Sequence, residues 1–168
     1  RPTSGRITMD NEILSGLPER FRARIRQQQF GFVFQRFNLI RGLTVLENIM
    51  LAGYPVGTPF DQLIRKSRSL IAQFGLEGKE KLRIEQLSGG ETQRVAVCRA
   101  MVNDPAVIIA DEPTANLDSG LSAGLVDMLN RLKLSGKTLI ISSHDPIITK
   151  NHLVDHLVTM RDGRVIRN

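Results

Sequence analysis

Residues 87–118 read LSGGETQRVAVCRAMVNDPAVIIADEPTANLD. Ser88 stands directly before a helical pattern, and Glu91 follows three residues later, the spacing of a capping box. Gly89 and Gly90 place no Cβ over the first free backbone N–H groups of that helix. Such a start suits an anion, phosphate above all. The helical rhythm stops at Asp104-Pro105. The next five residues, AVIIA (106–110), form a short, wholly apolar run, the mark of a buried parallel strand. Asp111 and Glu112 follow at once. Two carboxylates at the carboxyl end of a buried strand are costly unless they act, and ligand sites of such sheets lie at that edge. One of them can hold a magnesium ion, directly or through water, while the next orients and deprotonates a water molecule. The plainer reading makes both solvated loop acids.

Working outward, a helix is expected after Asp118, with apolar residues at 121, 125, 128, 129 and 132 and a stop at Gly136. TLIIS (138–142) reads as a second buried strand, with His144 just beyond it. If the two strands are neighbours, His144 shares the edge of Asp111 and Glu112. Gln35, just past the apolar run FGFVF (30–34), can reach the same edge. His152 and His156 have no such placement. Asp145-Pro146 starts a further helix as cap and first position. HLVTM and RVIRN flank a hairpin turn at Asp162-Gly163.

Toward the other end, residues 5–9 (GRITM) and 30–34 (FGFVF) read as strands, with an Arg-rich, helical stretch between them. Thr44 and Glu47 form a second capping box, opening a short helix that ends near Gly53. YPVGTP (54–59) reads as a loop, and apolar positions 63, 64, 70, 71 and 74 define a helical face stopped by Gly75. The last third is strand–helix–strand–helix–hairpin, an α/β layout, and residues 36–102 are mostly helical.

The 168 residues, 41% of them hydrophobic, suffice for one core with a small subdomain. No apolar run reaches membrane-spanning length and none looks like a secretory signal. The single cysteine, Cys98, excludes an internal disulfide and falls in the apolar rhythm of its helix as core filler. The net charge of +6 is scattered apart from RFRARIR (20–26), and seven Phe and one Tyr without Trp make no stacking array for bases, so no nucleic-acid partner is expected.

These features occur in the order and rough spacing of the ABC-type ATPases, and the chain resembles the later part of an ABC transporter nucleotide-binding domain over essentially its whole length. GFVFQRFNLIRGLTVLENI and DEPTANLD resemble the subgroup of lipoprotein release, macrolide export and cell division. The resemblance implies an α/β fold of the P-loop NTPase (ABC ATPase) type: a sheet flanked by helices, with a helical subdomain, incomplete at its N-terminus. It implies ATP and Mg2+ as ligands. Gln35 resembles the Q-loop glutamine near magnesium and γ-phosphate. Ser88, Gly89 and Gly90 resemble the signature loop, which meets the γ-phosphate of a nucleotide held by the partner. Asp111 resembles the Walker B aspartate on magnesium and Glu112 the catalytic base. Ala115–Asp118 resembles the D-loop, with Asp118 at the nucleotide, and His144 resembles the switch histidine. Three regions follow: 1–35, a remnant of an antiparallel β subdomain and the strand into the Q-loop; 36–94, helical and ending in the signature; and 95–168, the α/β core. The implied partners are a second ATP-binding subunit, head to tail, and integral membrane permease subunits. The implied location is the inner, cytoplasmic face of the cell membrane.

A P-loop, G-x-x-x-x-G-K-[ST], is absent. SGKT (135–138) fails as one: Arg131 occupies the place of the first glycine, and the order is helix–turn–strand rather than strand–loop–helix. In the family that loop lies upstream of the segment matched by RPTSGRI. The chain is therefore expected to be a fragment of a transport ATPase, inactive alone. Two alternatives are an ABC-type ATPase serving a non-transport complex such as cell division, and a non-enzymatic docking or dimerisation module. The intact Asp111, Glu112 and His144 argue against the latter.

Overall fold

The computed structural model describes residues 2–115 and 117–166. Along the chain run β1 (Thr8–Met9), β2 (Glu12–Ile13), α1 (Glu19–Gln29), β3 (Phe30–Val33), α2 (Val45–Met50), α3 (Phe60–Gln73), α4 (Gly89–Met101), β4 (Val107–Asp111), α5 (Ser119–Leu134), β5 (Thr138–Ser142), α6 (Pro146–Thr149), β6 (Thr159–Arg161) and β7 (Arg164–Ile166). This is the α/β, P-loop NTPase-type arrangement the resemblance implies.

The architecture centres on a parallel three-stranded sheet of order β3-β4-β5. Val33 pairs with Ala110, and Asp111 pairs with Ser142, so all three strands end at one edge. The condition set for His144 to share the edge of Asp111 and Glu112, that β4 and β5 be neighbours, therefore holds. β4, central and flanked on both sides, buries Ile108 and Ala110. β5 departs from the expectation of a fully buried strand: Ile140 is 54% exposed. Its apolar run of β-branched residues suits a strand covered on both faces, but β5 is an edge strand here, and among the described residues nothing packs over Ile140's side.

Helix α4 is the hub. Val95, Ala96, Val97 and Cys98 are fully buried in it, against β3 on one side and α2 and α3 on another. The approach to β3 needs a glycine: a Cβ on Gly31 would sit 2.4 Å from the backbone oxygen of Ala100. Val45, Ile49, Leu63, Ile71 and Leu76 carry the same core into the helical region, and Leu125 and Leu129 carry it beneath α5.

Local expectations are met at the caps. Thr44 and Glu47 form the reciprocal box at α2, Asp145 caps α6 with Pro146 in its first turn, and Gly75 is left-handed after α3. Differences are confined to short elements. Only Thr8 and Met9 of GRITM form strand, and they pair with Glu12 and Ile13 across Asp10 and Asn11. Both turn residues have positive φ, 49° and 65°, as a primed turn requires, and Asp and Asn tolerate it without glycine. Tyr54–Val56 is a 3-10 turn rather than open loop. The last hairpin forms at Asp162-Gly163, but Leu157 and Val158 lie outside its first strand. Arg167 and Asn168, the end of RVIRN, lie outside the described residues. The basic stretch 20–26 lies within α1, where Arg22 and Arg26 pair with Glu19.

Candidate active site

The C-terminal edge of the parallel sheet carries four of the residues singled out in the sequence. Asp111 ends β4 and Ser142 ends β5, and the Ser142 hydroxyl donates to Asp111 Oδ1 at 2.5 Å. One residue further on, Glu112 is left-handed, φ 42°, a costly geometry for a residue with this side chain. Its N–H donates to the Ser142 carbonyl at 2.9 Å, which bolts the turn to the neighbouring strand. The strain aims its side chain at the other loop: Glu112 Oε1 lies 2.9 Å from His144 Nδ1. Glu112 Oε2 is buried and, among the described residues, has no hydrogen-bond partner. The carboxylate thus has one oxygen committed to a histidine and one lone acceptor facing inward. Glu112 raises the His144 pKa above its usual value, by the hydrogen bond first and its charge second, with a lesser contribution from Asp145.

Gln35 lies in the exposed turn just beyond β3, at the same edge. No hydrogen bond joins it to Asp111, Glu112 or His144 among the described residues. The chain beyond it is held in an unusual shape. Phe37 and Asn38 are both left-handed, φ 58° and 49°, and the Arg99 guanidinium of α4 donates to both their carbonyls at 2.5 Å. Two residues on, the buried Asn48 accepts from the Ile40 N–H at 2.7 Å and donates back to the Ile40 carbonyl at 3.1 Å.

Among the described residues no hydrogen bond or ion pair joins Ser88, Gly89 or Gly90, at the start of α4, to that edge. The capping box is complete: Ser88 N–H donates to Glu91 Oε2 at 2.8 Å, and the Glu91 N–H donates to Ser88 Oγ at 3.4 Å. Glu91 Oε1 also pairs with the Lys79 ammonium. Lys79 first, and the Ser88 N–H second, hold the Glu91 carboxyl down at about 2. Gly90 is buried, and a Cβ there would meet Leu121 Cδ2 at 2.6 Å. Leu121 belongs to the first turn of α5, so the start of α5 lies against the start of α4. Asp118 caps α5, its Oδ1 accepting from the Leu121 N–H at 2.9 Å. Asn116, in the middle of the stretch Ala115–Asp118, lies outside the described residues.

Three other expectations can be placed. Cys98 is fully buried, and burial pushes its thiol up to about 12, which suits core filler. Residues 135–138 form a helix stop, with Gly136 left-handed between α5 and β5, and Lys137 pairs with Asp104 at 2.6 Å. No group of three or more His, Cys, Asp or Glu capable of holding a metal occurs among the described residues. Asp111 offers one carboxylate at an exposed strand end, which fits magnesium, an ion that takes one or two carboxylates and fills its shell from water and phosphate. Sequence reasoning missed Ser142, Arg99, Asn48 and Lys79, and read Leu121 only as one apolar position of its helix. Only the position of Ser142 at a strand end offered a signal for any of them.

Residues 1–115 match the ABC transporter family, and the chain belongs to it. It is 39% identical over 168 residues to an uncharacterized ABC transporter ATP-binding protein of Thermotoga maritima, covering 98% of this chain and 70% of that protein. It is also 39% identical over 166 residues to the macrolide export ATP-binding/permease protein MacB of Hyphomonas neptunium, covering 99% of this chain but 25% of that protein. Among solved structures it resembles the ATP-binding cassette MJ0796, determined as a dimer in a post-hydrolysis state bound to ADP and Pi. The TM-score is 0.82 at 34% identity, with 99% of this chain and 73% of that one covered. No helix of the described residues is long and apolar enough to cross a membrane.

Proposed function

We propose that this chain is the signature-bearing part of an ATP-hydrolysing subunit of an ABC transporter, working in a head-to-tail dimer. The observation that carries the reading is the Glu112–His144 pair, with one glutamate oxygen spoken for and the other buried without a partner. A carboxylate so placed is an acceptor for the proton of a water molecule, and general-base catalysis of this kind contributes about 10²–10⁴-fold in rate. His144 holds the carboxylate in one orientation. Its Nδ1 engagement leaves Nε2 for the terminal phosphate. Asp111, together with Gln35, would hold Mg2+, which would supply charge neutralisation to the phosphates. The Ser142 hydroxyl fixes the Asp111 carboxylate.

In this reading Ser88, Gly89 and Gly90 receive the γ-phosphate of the nucleotide bound by the partner subunit, and Asp118 lies at the seam. Their separation by contact from Glu112 supports a role in trans. Residues 36–94 act as a helical subdomain hinged at Gln35, between a β remnant (1–35) and the α/β core (95–168). The cradle for the chain's own nucleotide belongs to a P-loop this sequence does not contain, so the 168 residues alone are inactive. The MacB relative is named as an ATP-binding protein and permease in one, which supports membrane permease partners; a peripheral place on the cytoplasmic face is part of the same proposal.

A mixed dimer of the complete cassette tests this. With Ser88→Arg in one subunit and a broken P-loop in the other, both lesions fall in one composite site, and the second site keeps its hydrolysis. With both lesions in one subunit, each site carries one, and hydrolysis disappears. The opposite pattern would mean that the signature acts in cis, and the reading fails.

A further inference from the structure

We infer that Lys79 is a positioning residue for the phosphate-facing end of α4, where its ammonium holds and neutralises the Glu91 carboxylate. The inference rests on the reading of Ser88–Gly90 as a phosphate contact.

Glu91 poses a conflict within one helical turn. As a cap it is useful, because its carboxylate accepts the Ser88 N–H and suits the positive end of the helix dipole. As a neighbour of phosphate it is harmful. It brings a full negative charge to the end of the helix that an anion must approach, and it already takes the Ser88 N–H. Lys79 resolves the conflict. It lies in the tight turn after α3, its N–H donating to the Leu76 carbonyl at 3.1 Å and its own carbonyl accepting from the Leu82 N–H at 3.0 Å. From that fixed backbone the ammonium reaches Glu91 Oε1 and leaves Oε2 to Ser88. The side chains are partly covered, 34% exposed for Lys79 and 18% for Glu91. Ion pairs that keep contact with water contribute little to stability, so the pair's effect falls on the charge and aim of the helix end rather than on folding.

The test is a double-mutant cycle in the complete cassette, read as the ATP concentration for half-maximal hydrolysis, with thermal midpoints as a check on folding. Lys79→Ala should raise that concentration on the order of three- to tenfold, the scale of one uncompensated charge several ångströms from another in a partly aqueous setting. Lys79→Arg should restore it. In a Glu91→Gln background, where the amide oxygen still caps but carries no charge, Lys79→Ala should change nothing further. An unchanged half-maximal concentration in Lys79→Ala overturns the inference, and so does the same loss in the Glu91→Gln background as without it. Ser88→Arg, assayed alongside, separates the two levels. If it abolishes hydrolysis while Lys79→Ala has no effect, only this inference falls. If Ser88→Arg is also silent, the phosphate reading falls with it.

Discussion

At Glu112 the backbone is left-handed and a buried carboxylate oxygen lacks a partner. At Ser88 the backbone is extended, and hydroxyl and carboxylate satisfy each other in a complete capping box. The first region stores strain and an unmet hydrogen bond. The second is relaxed and closed, with glycines only where Leu121 presses against them. Strain of this kind persists only where its surroundings enforce it, and here the enforcers are visible: the Ser142 carbonyl on the Glu112 N–H and His144 on its side chain. The difference is the one expected between a group that must react and a surface that must only receive. A reacting carboxylate needs a free lone pair, whereas a receiving helix end needs a rigid cap and open space.

The sharpest way to break the comparison is Glu112→Gln in the complete cassette. The amide keeps the shape and the contact with His144 but cannot take a proton. Hydrolysis should fall about 10²–10⁴-fold, while ATP binding, measured by calorimetric titration, persists. Near-normal phosphate release would reduce Glu112 to a strained structural residue.

Next in size is the relaxed region. Gly90→Ala should destabilise the protein by about 1–3 kcal/mol, the usual cost of overpacking, because its Cβ would meet Leu121 Cδ2 at 2.6 Å. Urea unfolding measures it. In a Leu121→Ala background the same change should become neutral or favourable, since alanine is the better helix former by up to about 1 kcal/mol. An equal cost in both backgrounds would show that something other than Leu121 demands the glycine.

Much of this was legible in advance, because it is written in local chemistry. Capping boxes at Thr44 and Ser88, the Asp145-Pro146 start and the Asp162-Gly163 turn are satisfied within a few residues of where they are encoded, so sequence suffices. The edge that gathers Gln35, Asp111, Glu112 and His144 needed one further fact, strand order, which the two apolar runs suggested and the register supplies. What sequence hid are long-range partners. Arg99 grips carbonyls 61 and 62 residues away, and an arginine near the end of an amphipathic helix looks solvent-bound. Ser142 touches Asp111 across 31 residues. The exposure of β5 was also hidden, because composition reports what a strand can bury, not what is there to cover it.

The smallest expected effect sharpens the comparison from inside the strained region. His144 is exposed, yet its pKa stands above the ordinary 6.5 because Glu112 accepts its hydrogen bond and supplies negative charge. A pKa raised in the folded state means that the contact's contribution is fully present below the unfolded value and is lost as pH rises through the folded one. The Glu112–His144 contact should therefore weaken on going from mildly acidic to alkaline solution, the reverse of a carboxylate cap such as Asp145, whose lowered pKa makes its contribution fade toward acid. An NMR titration of the imidazole C–H signals measures this directly. Glu112→Gln should move the His144 midpoint back down toward the ordinary value, and Asp145→Asn should move it less, since Asp145 is the weaker of the two causes. If the His144 midpoint does not respond to Glu112→Gln, the two side chains are neighbours without being partners. The orientation of the glutamate would then have to come from the strained backbone alone.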